Sequence, residues 1–448
     1  MAPLEITFVN HASVQVQSGD IALLCDPWYQ GDAFHKGWNL LSEPSPEEIT
    51  ALLNTTTHLW ISHEHPDHFS IPFFKQYQAI LKSRGIKVIF QPTDDKRVIK
   101  YLVANGLDVS ELVFDKPVKL GKDFRVTCLK DGFLDSGLMI ETANQKILNL
   151  NDCDVKTQER ADQIFATVGV CDVLLTQFSY AAWKGGKDNK AWRELAAREK
   201  LNTVALQVAT FQPKFVIPFA SFVYFSNQRN FYLNDSVNHP GDVVQKLNGT
   251  DTQVLVMQPF DVFDGVHSPD RMKQAVSFWQ EHYDSIEEKP RLCYEPVDLE
   301  TLRAAFTKYQ QRVFTNNSRW FMTLVRKLMP IKVFAPIVIR LDDLDLTVEV
   351  DLFGDQLAQS KADYDLSMSS ESLRFVFANS FGFDTLSVNG CFEEGQRDGY
   401  SKAAKSLAIE NLNNLGIEFR PAILLNMGLI MMFLGKLRNV AKKVRLGA

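Results

Sequence analysis

Six residues, His63-Glu64-His65-Pro66-Asp67-His68, constrain this chain more than any other feature. The whole sequence of 448 residues holds nine histidines, and three of them fall in this hexad. Packing gives no reason to gather three imidazoles and a carboxylate so tightly. The hexad follows a short apolar run, His58 to Ile61, and precedes a helix-like stretch opening at Ser70. A strand-to-helix turn of this kind aims His63 and His65 one way and Asp67 and His68 another. Two adjacent metal sites, roughly 3.5–4 Å apart, are the expected result.

The rest of the composition narrows the setting. Hydrophobic residues make up 45% and charged residues 23%, as in ordinary globular proteins. The net charge of −6 lacks the basic footprint of a nucleic-acid binder, so none is expected as a partner. The six cysteines, Cys25, Cys128, Cys153, Cys171, Cys293 and Cys391, include no CxxC pair. That argues against a zinc finger or an iron–sulfur cluster and reads as reduced thiols in a cytoplasmic protein. The opening MAPLEITFVNHASVQV starts on strand-like alternation, with no basic or apolar signal region.

Ile6 to Val16 and Ile21 to Leu24 read as strands around a Ser18-Gly19-Asp20 turn. A helix capped by Ser45 follows, then the strand His58 to Ile61 and a helix from Ile71 to about Ser83. Strand signals recur at Lys87–Gln91, Phe124–Leu129, Leu138–Thr142, Lys146–Asn149, Val173–Thr176 and Phe215–Ile217, with a helix over Ala191–Phe211. This order predicts two stacked sheets flanked by helices. We place a catalytic domain at residues 1–290 and an auxiliary α+β domain at 291–415. In the second, Asp345–Leu352, Tyr364–Ser369, Ser372–Ala378 and Thr385–Gly390 read as an antiparallel set, and Ser401–Leu415 as a helix. The remainder, 416–448, is apolar from Ile423 to Leu434 and then basic. That run is too short to span a bilayer, which takes roughly 20 residues. It reads as a core helix with a solvated basic end, or as a peripheral membrane contact.

The hexad resembles the HxHxDH signature of the metallo-β-lactamase superfamily, and the resemblance implies an α/β fold, the αββα sandwich. Asp26 then matches the carboxylate that orders the metal loop from behind, and Asp152 the bridging carboxylate. Further segments narrow the likeness. DPWYQGDAFHKGWNLLSEP, KILNLNDCD, FSYAAW, FQPKFVIPFASFVYFSN and SLRFVFANSFGFDTLSVNG resemble the CMP-N-acetylneuraminate hydroxylase family and its bacterial relatives. That family carries an N-terminal Rieske domain, whose cysteine spacing this sequence lacks. An oxygenase would then draw electrons from a separate electron-transfer protein or a cosubstrate.

Two family histidines have no counterpart. The third metal-binding histidine should fall within Asp131–Asp135, where Asp135 is the nearest donor, and the fifth at about Asn227. The expected ligands are therefore His63, His65, Asp67, His68, Asp152 and Asp135, with each metal short of one imidazole. Asn227 could offer an amide oxygen or contact substrate. His11, read as lying within a strand, is a candidate catalytic or supporting residue. His35, Lys36 and Tyr180 are candidate contacts for an anionic small molecule, with Tyr180, Trp183 and Lys184–Lys187 as a lid.

Two histidines with a carboxylate match the facial triad of non-haem iron enzymes. The best reading is an iron oxygenase, with one or two ions, acting on a polar anionic metabolite such as a nucleotide sugar. The alternatives are a zinc-type hydrolase of a phosphorylated or ester-like molecule, and a non-catalytic binding protein with a decayed site.

Overall fold

A computed structural model describes residues 4–329 and 332–425 of the chain. It divides into two compact units. The first comprises residues 1–293 with the short segment 388–390, and the second the remainder.

The first unit is built on two seven-stranded sheets. One contains Leu4–Asn10, Ser13–Ser18, Ile21–Cys25, His58–Ile61, Lys87–Phe90 and Asp108–Glu111, with Val262–Phe263 at its edge. The strand before the hexad lies inside this sheet, parallel to Ile21–Cys25 and to Lys87–Phe90. The other contains Pro117–Gly121, Phe124–Asp131, Asp135–Glu141, Lys146–Asn151, Val173–Gln177, Phe215–Phe219 and Gln253–Val254.

Strand alternation sorts the first sheet's side chains into two cores, because successive residues face opposite sides. Phe8, Leu23, Cys25, Trp60 and Ile89 face the second sheet, against residues such as Val126, Leu138, Leu148 and Leu174. Val9, Leu24, Leu59, Ile61, Val88 and Phe90 face helices Pro46–Thr55, Ile71–Ser83 and Arg97–Ala104 through Leu53, Phe73, Phe74 and Leu102. Helices Gln158–Val168 and Lys190–Phe211 add Ile164, Val204 and Phe211 to the first core. The layers are those of an αββα sandwich. Ser45 closes a full capping box with Glu48, and Ser70 caps the helix after the hexad by accepting from the Phe73 amide.

The segment read as one strand from Ile6 to Val16 is a hairpin. The first strand stops at Asn10 and the next begins at Ser13, leaving His11 and Ala12 as the turn. His11 takes a φ of +29°, and apolar alternation on either side concealed the reversal.

The second unit holds a five-stranded sheet ordered Ala358–Gln359, Leu346–Val350, Ile337–Leu341, Leu366–Met368, Phe392–Glu394. It is not wholly antiparallel, since Ile337–Leu341 and Leu366–Met368 run parallel. Two expected strands are helices, Ser370–Ala378 and Gly382–Asn389. Ser369 caps the first by accepting from the Ser372 amide, and Leu373, Val376 and Phe377 are buried at helical spacing. Helices Leu299–Asn316 and Arg319–Leu328 precede the sheet. Most of the apolar-then-basic tail, 426–448, lies outside the described residues. No helix among the described residues is long and apolar enough to cross a membrane.

Candidate metal centre

The hexad folds into a tight turn at the end of strand His58–Ile61. The His65 carbonyl accepts from the amides of His68 and Phe69, at 3.0 and 2.7 Å, which folds Asp67 and His68 back toward His63. Asp26 braces this turn from the neighbouring strand end. Its carboxylate accepts from the Ser62 amide at 2.7 Å and meets His68 Nδ1 at 2.9 Å. His68 is thereby oriented so that Nε2 lies 3.4 Å from Asp67 and 3.3 Å from Asp152. A carboxylate behind an imidazole fixes its tautomer and raises its basicity as a ligand. Ser62 contributes from the same side, its hydroxyl lying 2.9 Å from His63 Nδ1 and 3.1 Å from His68 Nδ1.

The donor atoms form a continuous run. His11, Asp67 and His68 make one group, His63, His68 and Asp152 a second, and His63, His65 and Asp135 a third. Within each group the donor atoms lie within 4.8 Å of one another. His11 Nε2 is 3.4 Å from Asp67 Oδ2, His63 Nε2 is 2.8 Å from His65 Nδ1, and Asp135 Oδ1 is 3.6 Å from His63 Nε2. His11, Asp26 and Asn151 all hold positive φ at strand ends around this run. Strain of this kind persists where the surrounding structure enforces it, and it collects at functional sites.

The electrostatics fit a cation. Asp67 Oδ1, His68 Nε2, Asp135 Oδ1 and His11 Nδ1 are buried without a hydrogen-bond partner. Each such atom costs about 1–3 kcal/mol unless something satisfies it. Burial favours the neutral form of Asp67, yet His68 and His11 hold its carboxyl well below the usual range. Burial also works against charge on His68, yet Asp67, Asp152 and Asp26 push its imidazole well above its ordinary value. Three carboxylates thus converge on one buried imidazole, a setting that favours a cation. Burial, with His68 and His65 alongside, keeps His63 neutral, as a ligand must be. Burial and nearby Asp152 push the Asp135 carboxyl up to about 6. Four imidazoles and three carboxylates in this arrangement suit one or two ions of iron or zinc.

On the Asp67 side His11 stands beside Asp67 and His68, an imidazole the expected ligand set did not include. Asn227 is engaged elsewhere. Its side-chain oxygen accepts from the Arg229 amide, and its backbone bridges to Leu292. On the His63 side, Asp135 takes the place next to His63 and His65. Glu64 pairs with Arg97 at 3.1 Å, away from the donors.

The expected substrate contacts are placed as follows. Phe34, His35 and Lys36 form a left-handed turn, but it is Phe34 that meets His65, with ring centroids 5.6 Å apart. The Lys36 ammonium donates to the Cys293 carbonyl at 3.1 Å. His35 is half-buried and is not among the grouped donors. Tyr180 is buried, donates its hydroxyl to the Leu233 carbonyl and stacks on Phe225. The glycine pair beside it is pinned, because Arg193 donates to the Gly186 and Lys187 carbonyls while pairing with Asp235. Tyr180 is thus tied to Leu233, and that loop to Arg193.

Three residues that sequence reasoning passed over stand at this site. Ser62 immediately precedes the hexad and was visible there. Gln177, at the end of Val173–Gln177, donates to Asp152 Oδ1 at 3.0 Å. Half-buried Lys200 in turn donates to Gln177 Oε1. No local signal marks the last two, because the contacts join distant elements.

Comparison with known proteins agrees with this architecture. Residues 5–220 match the beta-lactamase superfamily domain. Over 274 residues the chain is 26% identical to the cytidine monophosphate-N-acetylneuraminic acid hydroxylase of Danio rerio, covering 57% of this chain and 45% of that protein. Over 261 residues it is 28% identical to the Cricetulus griseus hydroxylase, covering 55% and 44%. The chain therefore spans under half the length of these relatives. A solved structure with a similar layout is CmlA, a diiron beta-hydroxylase from Streptomyces venezuelae. It has a TM-score of 0.42 and 12% identity, over 59% of this chain and 54% of that one.

Proposed function

We propose that this metallo-β-lactamase-fold chain is a non-haem iron oxygenase that hydroxylates a polar anionic metabolite, with a nucleotide-activated acidic sugar as the first candidate. The observation that carries the reading is the composition of the donor run. Asp135 beside His63 and His65 gives a two-histidine, one-carboxylate set, the pattern associated with non-haem iron. The hydroxylase relatives support the same direction. Bound iron would supply dioxygen activation, with electrons from a separate electron-transfer protein or a cosubstrate.

The chain's own residues have definable tasks in this reading. His63, His65 and Asp135 would hold one ion, and His11, Asp67 and His68 a second, with Asp152 grouped with His63 and His68. Asp26 and Ser62 fix the imidazoles. Lys200 and Lys184 support an anionic substrate. Lys184 is half-buried and has no hydrogen bond or ion pair among the described residues. Burial, then the like charge of Lys156, lowers its ammonium below the ordinary range. A bound anion would relieve both.

The test is anaerobic loading with iron(II), followed by oxygen uptake with cytidine monophosphate-N-acetylneuraminic acid and a reductant. The expected product has gained one oxygen atom by mass. Iron-loaded protein that consumes no oxygen with this compound or with other nucleotide sugars would refute the reading. A zinc-type hydrolase is the second reading. The adjacency of the two donor groups around Asp152 favours it, since paired ions clamp both the attacking and leaving groups of a hydrolysis. Hydrolysis of phosphate esters by zinc-loaded, iron-free protein would establish it instead.

A further inference from the structure

Asp135, the carboxylate beside His63 and His65, stands at the foot of a hairpin. Strands Phe124–Asp131 and Asp135–Glu141 are antiparallel, and Asp131 is the Cα partner of Asp135. Gly132, Phe133 and Leu134 join them, with Gly132 at a φ of +48°. Phe133 is exposed, whereas Asp131 is buried. A turn this short, open to water at its tip, does not by itself fix the carboxylate that follows it.

Contacts from outside the turn fix it. The Leu134 carbonyl, just before Asp135, accepts from buried Gln91. The Ser136 hydroxyl, just after it, donates to the Ser62 carbonyl at 2.6 Å, and the Ser136 carbonyl accepts from Asn151 at 3.2 Å. The remaining tie is ionic. The Asp131 carboxylate accepts from the Asp154 amide at 2.6 Å and from Arg160 Nε at 2.9 Å, through different oxygens. Asp154 lies two residues beyond Asp152. One buried carboxylate therefore joins the hairpin that carries Asp135 to the loop that carries Asp152. Arg160 lies in the first turn of helix Gln158–Val168, where the Thr157 cap accepts from its amide at 3.3 Å. Its guanidinium also donates to the Lys130 carbonyl on the hairpin and to Gln163 Oε1, the latter at 3.2 Å. The rigid fork of arginine holds several acceptors in one geometry.

We infer that Asp131, held by Arg160, is a positioning residue that sets the separation of the Asp135 and Asp152 carboxylates. Asp131 is itself not among the grouped donors. Both of its oxygens are engaged and the guanidinium offsets its charge, so it does not compete with Asp135 for an ion. The group His11, Asp67 and His68 draws no donor from this hairpin or from the loop that carries Asp152. Damage at Asp131 should therefore fall on one ion and spare the other. That selectivity separates positioning from general support of the fold. The inference rests on the proposed reading only in that the donor run holds ions, and not in what those ions catalyse.

The test is calorimetric titration of the chelator-stripped full chain with cobalt(II), which takes nitrogen and oxygen ligands as iron and zinc do. Visible absorption of the loaded protein reports the geometry around each ion. Wild type should show two binding events. Asp131→Asn keeps the shape and turns one acceptor oxygen into a donor, which then faces the Asp154 amide or Arg160. Arg160→Lys keeps the charge and loses the fork. Each should weaken one event roughly 10–100-fold, leave the other unchanged, and alter the absorption of the weakened ion alone. Arg125→Met breaks the ion pair with Glu141 at the far end of the same hairpin and should change neither event. Binding of both ions by Asp131→Asn and Arg160→Lys as in wild type overturns the inference. So does equal weakening of both events with a lowered melting temperature of the stripped protein, which makes the pair a support of the fold. Wild type that binds no cobalt(II) also overturns it. Oxygen uptake plays no part in this comparison, so the oxygenase reading can fail while the inference stands.

Discussion

Replacing His11 by asparagine removes one imidazole from the donor run and keeps the turn that carries it. Asparagine tolerates positive φ better than most residues, so the +29° at this position remains accessible. Its short amide cannot reach the place held by His11 Nε2, 3.4 Å from Asp67 Oδ2. Losing a group that merely supports a ligand costs roughly 10–100-fold in metal affinity. A residue that itself touches the ion should cost at least the upper figure, about 100-fold or 2.7 kcal/mol. The assay is calorimetric titration of chelator-stripped protein with iron(II) under anaerobic conditions. Wild type should show two binding events, and His11→Asn should retain one of them and weaken the other. Asn227→His should change neither, because that side chain is committed to the Arg229 amide. Two undiminished sites in His11→Asn would refute the assignment, as would recovery of the weakened site by Asn227→His in that background.

The other expectations follow the same geometry. The pair His63→Ala with His65→Ala should empty the site and leave the fold intact by circular dichroism, since the cores lie in the sheets and helices. Asp26→Asn should weaken metal binding roughly 10–100-fold, because the carboxylate behind His68 is lost. The Asp135 carboxyl, raised to about 6, is charged above that value and protonated below it. Metal affinity should therefore fall by roughly tenfold per pH unit below 6, and Asp135→Asn should abolish this step, as titrations at several pH values would show. Lys184→Met with Lys200→Met should raise KM for an anionic substrate while metal content, measured by elemental analysis, stays unchanged.

The hexad was legible because its residues are neighbours in sequence, and a strand-to-helix turn is local. Asp26 and Asp152 were legible through family resemblance, as donors at strand ends. His11 was misread for a physical reason. Its role depends on a two-residue reversal between strands Leu4–Asn10 and Ser13–Ser18, and the apolar alternation runs on either side of it without a Gly or Asn-Gly turn signal. The support from Gln177 and Lys200 depends on how a strand and a helix pack, which periodicity does not encode. In the second unit, Ser372–Ala378 carries strand-forming Phe and Val in alternation. The Ser369 cap and the burial of Leu373, Val376 and Phe377 made it a helix, so tertiary packing overrode local preference.

The central claim is that this donor run holds iron for oxidative chemistry. Elemental analysis of the full chain, purified without chelators and without added metal, tests it most directly when paired with oxygen uptake on the same sample. The account predicts iron at up to two ions per chain, and oxygen uptake that scales with iron content across preparations. Folded protein that binds only zinc, and whose oxygen uptake stays at background when iron is restored, would contradict it.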